Sequence, residues 1–204
     1  MLFYDTPDPA PNPRRVRILG AEKGVALPTQ SVSIRDGEHK GEAFLKVNPL
    51  GQTPALVLDD GEVLTESVSI CRYLEVLNPA PPLFGTGAES IARIDMWARR
   101  IELRLMVPVG MIWAHSHPFT ARIMPHQYTE FGESNRPLVE RALRMCDAAL
   151  GETPFVAGEH YSIADIVLLT TIDFATFVGI EVPEELARLN DWHRRVSARP
   201  SAGA

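Results

Sequence analysis

Two short stretches of this chain carry residue types that can do chemistry together: Glu66-Ser67 and Gln52-Thr53-Pro54. A helix opening at Glu66-Ser67 presents free backbone N–H groups and the positive end of its dipole, which suits a carboxylate. Ser67 adds a hydroxyl to that anion site and Glu66 a negative charge beside it. Together they fit a group bearing both a carboxylate and an ammonium, the head of an α-amino acid. Upstream, Pro54 lacks an N–H and belongs at the first residue or edge of a strand. Thr53 then keeps its own N–H and C=O for pairing with an extended peptide.

The elements that must hold these residues follow from the local pattern. Ala55–Leu58 reads as a short apolar strand, Asp59-Asp60-Gly61 as a tight turn with Gly at positive φ, and Glu62–Leu64 as the returning strand. Ile70, Tyr73, Leu74 and Leu77 then stripe one helix face. Earlier, Leu2–Asp5 is a strand and Thr6–Pro13 a proline-rich loop unable to join a sheet. Asn12-Pro13 reads as N-cap and first residue of a helix running to Lys23. Thr29–Ile34 is a second strand, and a loop with a short helix leads to Val47. The order β-α-β-α-β-β-α resembles a thioredoxin-like domain, with two parallel strands followed by an antiparallel hairpin.

Residues 79–87, rich in Pro and Gly, form the one strong composition shift and are read as a linker between domains 1–78 and 88–204. Beyond it the chain is all helical. Ile94, Trp97, Ala98, Ile101 and Leu105 stripe a long helix, expected to kink near Pro108 and continue toward His115. Leu138, Ala142, Met145, Cys146, Ala149 and Leu150 stripe the next. Ser162 and Asp165 form a capping box, with Tyr161 and Ile166 as a hydrophobic staple, ahead of a helix apolar nearly all round. A last helix is expected from Pro183. The fold class is α/β plus all-α, a thioredoxin-like domain followed by a helical bundle.

The 204 residues are 45% hydrophobic and 23% charged, an ordinary globular composition. A net charge of −6 argues against a nucleic-acid surface. No run of apolar residues is long enough to span a membrane, and the N-terminus lacks the basic region and apolar core of a signal peptide. Cys71 and Cys146 read as buried free thiols in a reducing compartment, so the expected location is the cytoplasm.

Asn-Pro-x-Gly-Gln-x-Pro-Ala-Leu at 48–56, the hairpin, and Glu-Ser-x-x-Ile-x-x-Tyr-Leu at 66–74 resemble the glutathione-binding half of the cytosolic glutathione S-transferases, and the similarity extends over the whole chain. The resemblance implies glutathione as co-substrate, with no metal. It implies that Gln52 and Thr53 contact the tripeptide backbone, that the bond before Pro54 is cis, and that Glu66 and Ser67 hold the γ-glutamyl head. His39 and Lys40 resemble a pattern in which basic residues meet the glycyl carboxylate, although Lys40 also reads as a solvated loop lysine.

Conjugation requires a thiolate, and a free thiol of pKa about 8.5 is only slightly ionised at neutral pH. Family members usually place a Tyr, Ser or Cys in or just after the first strand. Arg15-Val16-Arg17-Ile18 matches the family's first helix and sets the register, which leaves Ala10, Pro11, Asn12 and Pro13 where Ser or Cys would stand. The similarity is closest to the fungal and bacterial branch lacking the usual catalytic hydroxyl. Asn12 can donate through its amide or serve as a helix cap. Thr6 and Tyr4 are lesser candidates. His115 and Ser116, in His115-Ser116-His117, either hold the sulfur, directly or through water, or simply end a helix. His115 and His117 do not face the same way on a helix, so no metal site is expected.

The activity implied is conjugation of glutathione to small hydrophobic electrophiles held by Met106, Val109, Met111, Ile112, Trp113 and Phe119. A homodimer is expected through the linker and the Ile94–Ile101 face. The alternatives are a glutathione-dependent isomerase or dehalogenase on the same fold, or a non-catalytic glutathione-fold binding protein.

Overall fold

The structure, a computed structural model, describes residues 1–7 and 9–204. The chain divides into two compact units, one of Met1–Leu83 with Arg199–Ala204 and one of Phe84–Ala198. The thioredoxin-like and helical halves expected from the sequence are both present.

In the first unit, strands β1 (Leu2–Asp5), β2 (Thr29–Ser31), β3 (Ala55–Val57) and β4 (Val63–Thr65) make one sheet in the order β2-β1-β3-β4. β1 runs parallel to β2, with Phe3 opposite Thr29, and antiparallel to β3, with Phe3 opposite Leu56. β3 and β4 form the hairpin, Leu56 facing Leu64. Helix α1 (Pro11–Glu22) links the parallel strands, α2 (Glu42–Leu45) precedes the hairpin, and α3 (Ser67–Leu77) follows it and packs on α1. Phe3, Val16, Leu19, Leu56, Ile70 and Leu74 are buried between these elements.

Two local expectations are corrected here. β2 ends at Ser31, not Ile34: Val32 N–H still donates to the Asp5 carbonyl at 2.7 Å, but the Ser33 hydroxyl then binds Asp36 and turns the chain away. Helix α1 starts at Pro11 with Ala10 as its N-cap, so Asn12 lies inside the first turn and caps nothing. Pro11 and Pro13 have no N–H to satisfy and already hold helical φ, which removes most of the need for a capping side chain.

The last residues, expected in the helical domain, instead fold onto α1. Arg14 Nη2 donates to the Ala202 carbonyl at 2.9 Å, and Arg199 grips both carboxylate oxygens of Glu22 at 2.8 Å. Burial works against the Glu22 charge, but the Arg199 and Ser201 hydrogen bonds outweigh it and hold the carboxyl below its ordinary range.

In the second unit, α4 (Ala88–Ile101) runs through a π-helical turn, Glu102–Met106, into α5 (Val107–Ser116). Pro108 cannot donate a helical hydrogen bond and its ring crowds the preceding turn, which the wider π turn accommodates. Then come α6 (Thr129–Glu133), α7 (Arg136–Ala149), α8 (Ile163–Phe177) and α9 (Ala187–Ser197). Ile94, Ala98 and Ile101 are buried within this unit, where α4 packs on α8, so this stripe belongs to the unit's own core, while Met96, Arg99 and Arg100 of the same segment are exposed. On α7 the buried residues are Val139, Ala142, Leu143 and Cys146, while Leu138 is 49% exposed, a rotation of the expected stripe.

α8 is the centre of the second unit, buried along nearly all its length. The expected capping box forms, and Asp165 does more than close it. Its carboxylate is fully buried and accepts from Ser162 N–H, the Ser162 hydroxyl, Val156 N–H and Trp192 Nε1–H, at 3.0–3.1 Å. Burial nonetheless pushes its pKa up to about 6 against those donors. α9 begins at Ala187, not Pro183, because the Asp147 carboxylate on α7 accepts the N–H groups of Arg188 and Leu189 at 3.0 and 2.9 Å. Among the described residues no helix is long and apolar enough to cross a membrane.

Candidate functional site

The Gln52-Thr53-Pro54 loop is built by Asn48, whose role is not legible in the sequence. Asn48 is buried; its Nδ2 donates to the Gln52 carbonyl at 2.6 Å and its Oδ1 accepts Leu50 N–H at 3.1 Å. Gly51 takes φ 58°, and a Cβ there would meet the His39 carbonyl at 2.7 Å, so glycine is required twice over. The loop ends in a cis Thr53–Pro54 bond, as the family pattern implied.

Thr53 is set from the side by Thr6. The Thr6 hydroxyl donates to the Val32 carbonyl at 2.9 Å and meets Thr53 Oγ1 at 2.7 Å. Because a hydroxyl has one proton, Thr53 is the donor in the second contact. Thr6 is therefore a brace for Thr53, not a group available to a sulfur. Its sequence signal was only a hydroxyl just after β1. The Thr53 backbone N–H and C=O have no partner among the described residues, which leaves both open to an extended peptide.

At the start of α3, Glu66 is exposed and takes φ 64°, ψ 112°, an uncommon conformation for a residue with a Cβ. Ser67 is the first helical residue and is buried. Its Oγ accepts a hydrogen bond from Arg15 Nη1 at 3.3 Å, and Arg15 is itself buried. This places a permanent cation behind the anion site. In the sequence alone, Arg15 serves only to set the register of α1.

Lys40 is exposed, and its ammonium donates to the Leu50 carbonyl at 3.1 Å, against the same loop. Burial and the Lys40 charge lower the His39 pKa, against a hydrogen bond to the Ser33 backbone that raises it. His39 is thus held toward its neutral form. Gln52 extends into solvent. The first unit thus brings Gln52, Thr53, Pro54, His39 and Lys40 onto one loop cluster, and Glu66 with Ser67 onto the head of α3.

Asn12 is half-buried in the first turn of α1, and its amide has no partner among the described residues. In the second unit, His115 lies at the end of α5 with its ring edge-on to Tyr128 and Phe131. Its Nδ1 accepts Tyr128 N–H at 3.4 Å, which in the neutral ring leaves the proton on Nε2. Ser116 Oγ is turned into the contact with α6, where a Cβ on Gly132 would lie 2.3 Å from it. Of the residues expected to hold an electrophile, Val109 and Ile112 are core, while Met106, Met111, Trp113 and Phe119 retain partial exposure.

Comparison with known proteins matches residues 10–77 to the family model for the glutathione S-transferase N-terminal domain and residues 111–200 to that for the C-terminal domain. The chain is 37% identical to glutathione S-transferase 2 of Saccharomyces cerevisiae over 204 residues, covering 98% of this chain and 87% of the yeast protein. The crystal structure of Gtt2 from Saccharomyces cerevisiae superposes with a TM-score of 0.94 at 35% identity, covering 100% of this chain and 99% of that one. A glutathione S-transferase domain-containing protein of Marinobacter aquaeolei gives a TM-score of 0.93 at 33% identity, covering 98% and 99% of the two chains.

Proposed function

The chain belongs to the glutathione S-transferase family, and from that premise we propose that it conjugates the thiolate of glutathione to small hydrophobic electrophiles. The observation that carries the ligand assignment is the head of α3: a buried Ser67 hydroxyl backed by Arg15, beside the exposed Glu66 carboxylate. That set offers donors to a carboxylate and an anion to an ammonium, the two charges of a γ-glutamyl head. Thr53, with its open backbone groups, pairs with the cysteinyl unit, Gln52 and Pro54 flank it, and His39 and Lys40 take the glycyl carboxylate.

In this proposal Asn12 donates its amide N–H to the sulfur, helped by the positive end of α1. His115, through Nε2–H, and Ser116 are the alternatives to Asn12 for that role, directly or through a water. Nucleophilic attack then joins the sulfur to the electrophilic carbon and expels the leaving group. A homodimer in the cytoplasm completes the proposal, through the linker and the Ile94–Ile101 face, where Met96 is exposed, with the exposed Ile91 beside it.

The absence of a hydroxyl across Ala10–Pro13 favours one other reading, a glutathione-fold binding protein without catalysis. Turnover of a generic aryl halide with glutathione decides between them. Conjugation above the uncatalysed rate, reduced in Asn12→Ala, is the expected result. Glutathione binding with no such rate leaves the binding protein.

A further inference from the structure

Resting on the glutathione reading above, we propose that Arg15 is a positioning residue for the carboxylate of the γ-glutamyl head, acting through Ser67. Arg15 is 2% exposed and Ser67 5% exposed, and the guanidinium donates to the hydroxyl oxygen at 3.3 Å. The contact between Cys71 Sγ and the Arg15 carbonyl, at 3.7 Å, fixes α1 against α3 one turn further on. Arginine cannot lose its proton, so the direction of the Arg15–Ser67 bond cannot reverse. Ser67 is therefore an acceptor toward Arg15 and must spend its own proton elsewhere. Among the described residues that proton meets no acceptor. A buried hydroxyl whose proton has nowhere to go is costly unless a ligand receives it.

The open N–H groups in the first turn of α3 lie at the same place. A carboxylate accepts from both at once, whereas an ammonium has nothing to accept with. Arg15 thus sets the polarity of Ser67, and with it the preference for a carboxylate at this point of the ligand.

The test is calorimetric binding of glutathione and two analogues: 4-aminobutanoyl-Cys-Gly, which lacks the head carboxylate, and glutaryl-Cys-Gly, which lacks the amine. Wild-type chain, Arg15→Gln, Ser67→Ala and the double variant are compared, with circular dichroism to verify folding. Wild type is expected to lose about tenfold or more in affinity when the carboxylate is removed, the scale of a hydrogen bond to a charged group. In either single variant that loss should shrink to about threefold or less, the loss on removing the amine should stay unchanged, and the double variant should add nothing further. If Arg15→Gln does not fold, Arg15→Met, of similar length and without a donor, takes its place in the same comparison. Folded variants that keep the wild-type carboxylate preference overturn the inference while leaving glutathione binding intact. A wild-type chain that binds no glutathione overturns the glutathione reading and this inference together.

Discussion

Replacing Asp165 with Ala should be among the most damaging single changes in the second unit, although nothing assigns this residue to chemistry. The carboxylate accepts hydrogen bonds from Val156 N–H, Ser162 N–H, the Ser162 hydroxyl and Trp192 Nε1–H. The hydroxyl can turn to another acceptor, but the three N–H donors cannot. Each such donor left buried and unpaired costs about 1–3 kcal/mol. Part of that loss is offset, because burial of the carboxylate is itself unfavourable, as its pKa of about 6 records. The net expectation is a destabilisation of about 4 kcal/mol near pH 7.

Urea unfolding followed by far-ultraviolet circular dichroism measures the loss of stability. A second variant identifies its cause. Trp192→Phe alone should cost about 1–2 kcal/mol, and markedly less in the Asp165→Ala background, since the indole N–H would then have no partner to lose. A cost for Asp165→Ala below about 1 kcal/mol, or strict additivity with Trp192→Phe, would refute the idea that this carboxylate ties α8, α9 and the Val156 loop together.

Three further outcomes follow from the same geometry. Asn12→Ala should raise the pKa of bound glutathione, read from thiolate absorbance, by about one unit or more, with affinity changed less than about threefold. The Glu22 carboxyl is held below its ordinary value, so its pairing with Arg199 contributes stability above the unfolded pKa of about 4.3 and loses it as pH falls through the lower folded value. Thermal melts should therefore show a smaller acid-side loss of stability in Glu22→Gln than in wild type. Burial, reinforced by the Asp165 charge, pushes the Cys146 thiol up to about 12, and Cys71 is buried too. A thiol-disulfide reagent at pH 8 should label neither cysteine in the native protein and both after unfolding.

What the sequence made legible was local. The hairpin turn at Asp59–Gly61, the head of α3 and the Ser162–Asp165 capping box each depend on residues a few positions apart, and each stands as expected. The errors arose where a distant group decides. α9 starts late because Asp147, 41 residues before Arg188, supplies the acceptor its first N–H groups need. The closing residues join the first unit because Glu22 receives Arg199 across 177 positions. The stripe on α4 was read correctly as apolar, and Ile94, Ala98 and Ile101 are buried in the second unit.

Within the candidate site, the motif residues Gln52, Thr53, Glu66 and Ser67 were readable because their types answer to a ligand. Arg15, Asn48 and Thr6 were not, because each acts on another residue of the protein and only the folded chain brings them together.

Titration of glutathione into the wild-type chain and into the Glu66→Gln, Ser67→Ala double variant tests the central claim most directly. Saturable heat is expected for the wild type and an affinity at least about tenfold weaker for the variant, on the scale of one lost charge-assisted contact. No heat from the wild type, or equal affinity in the folded variant, would contradict it.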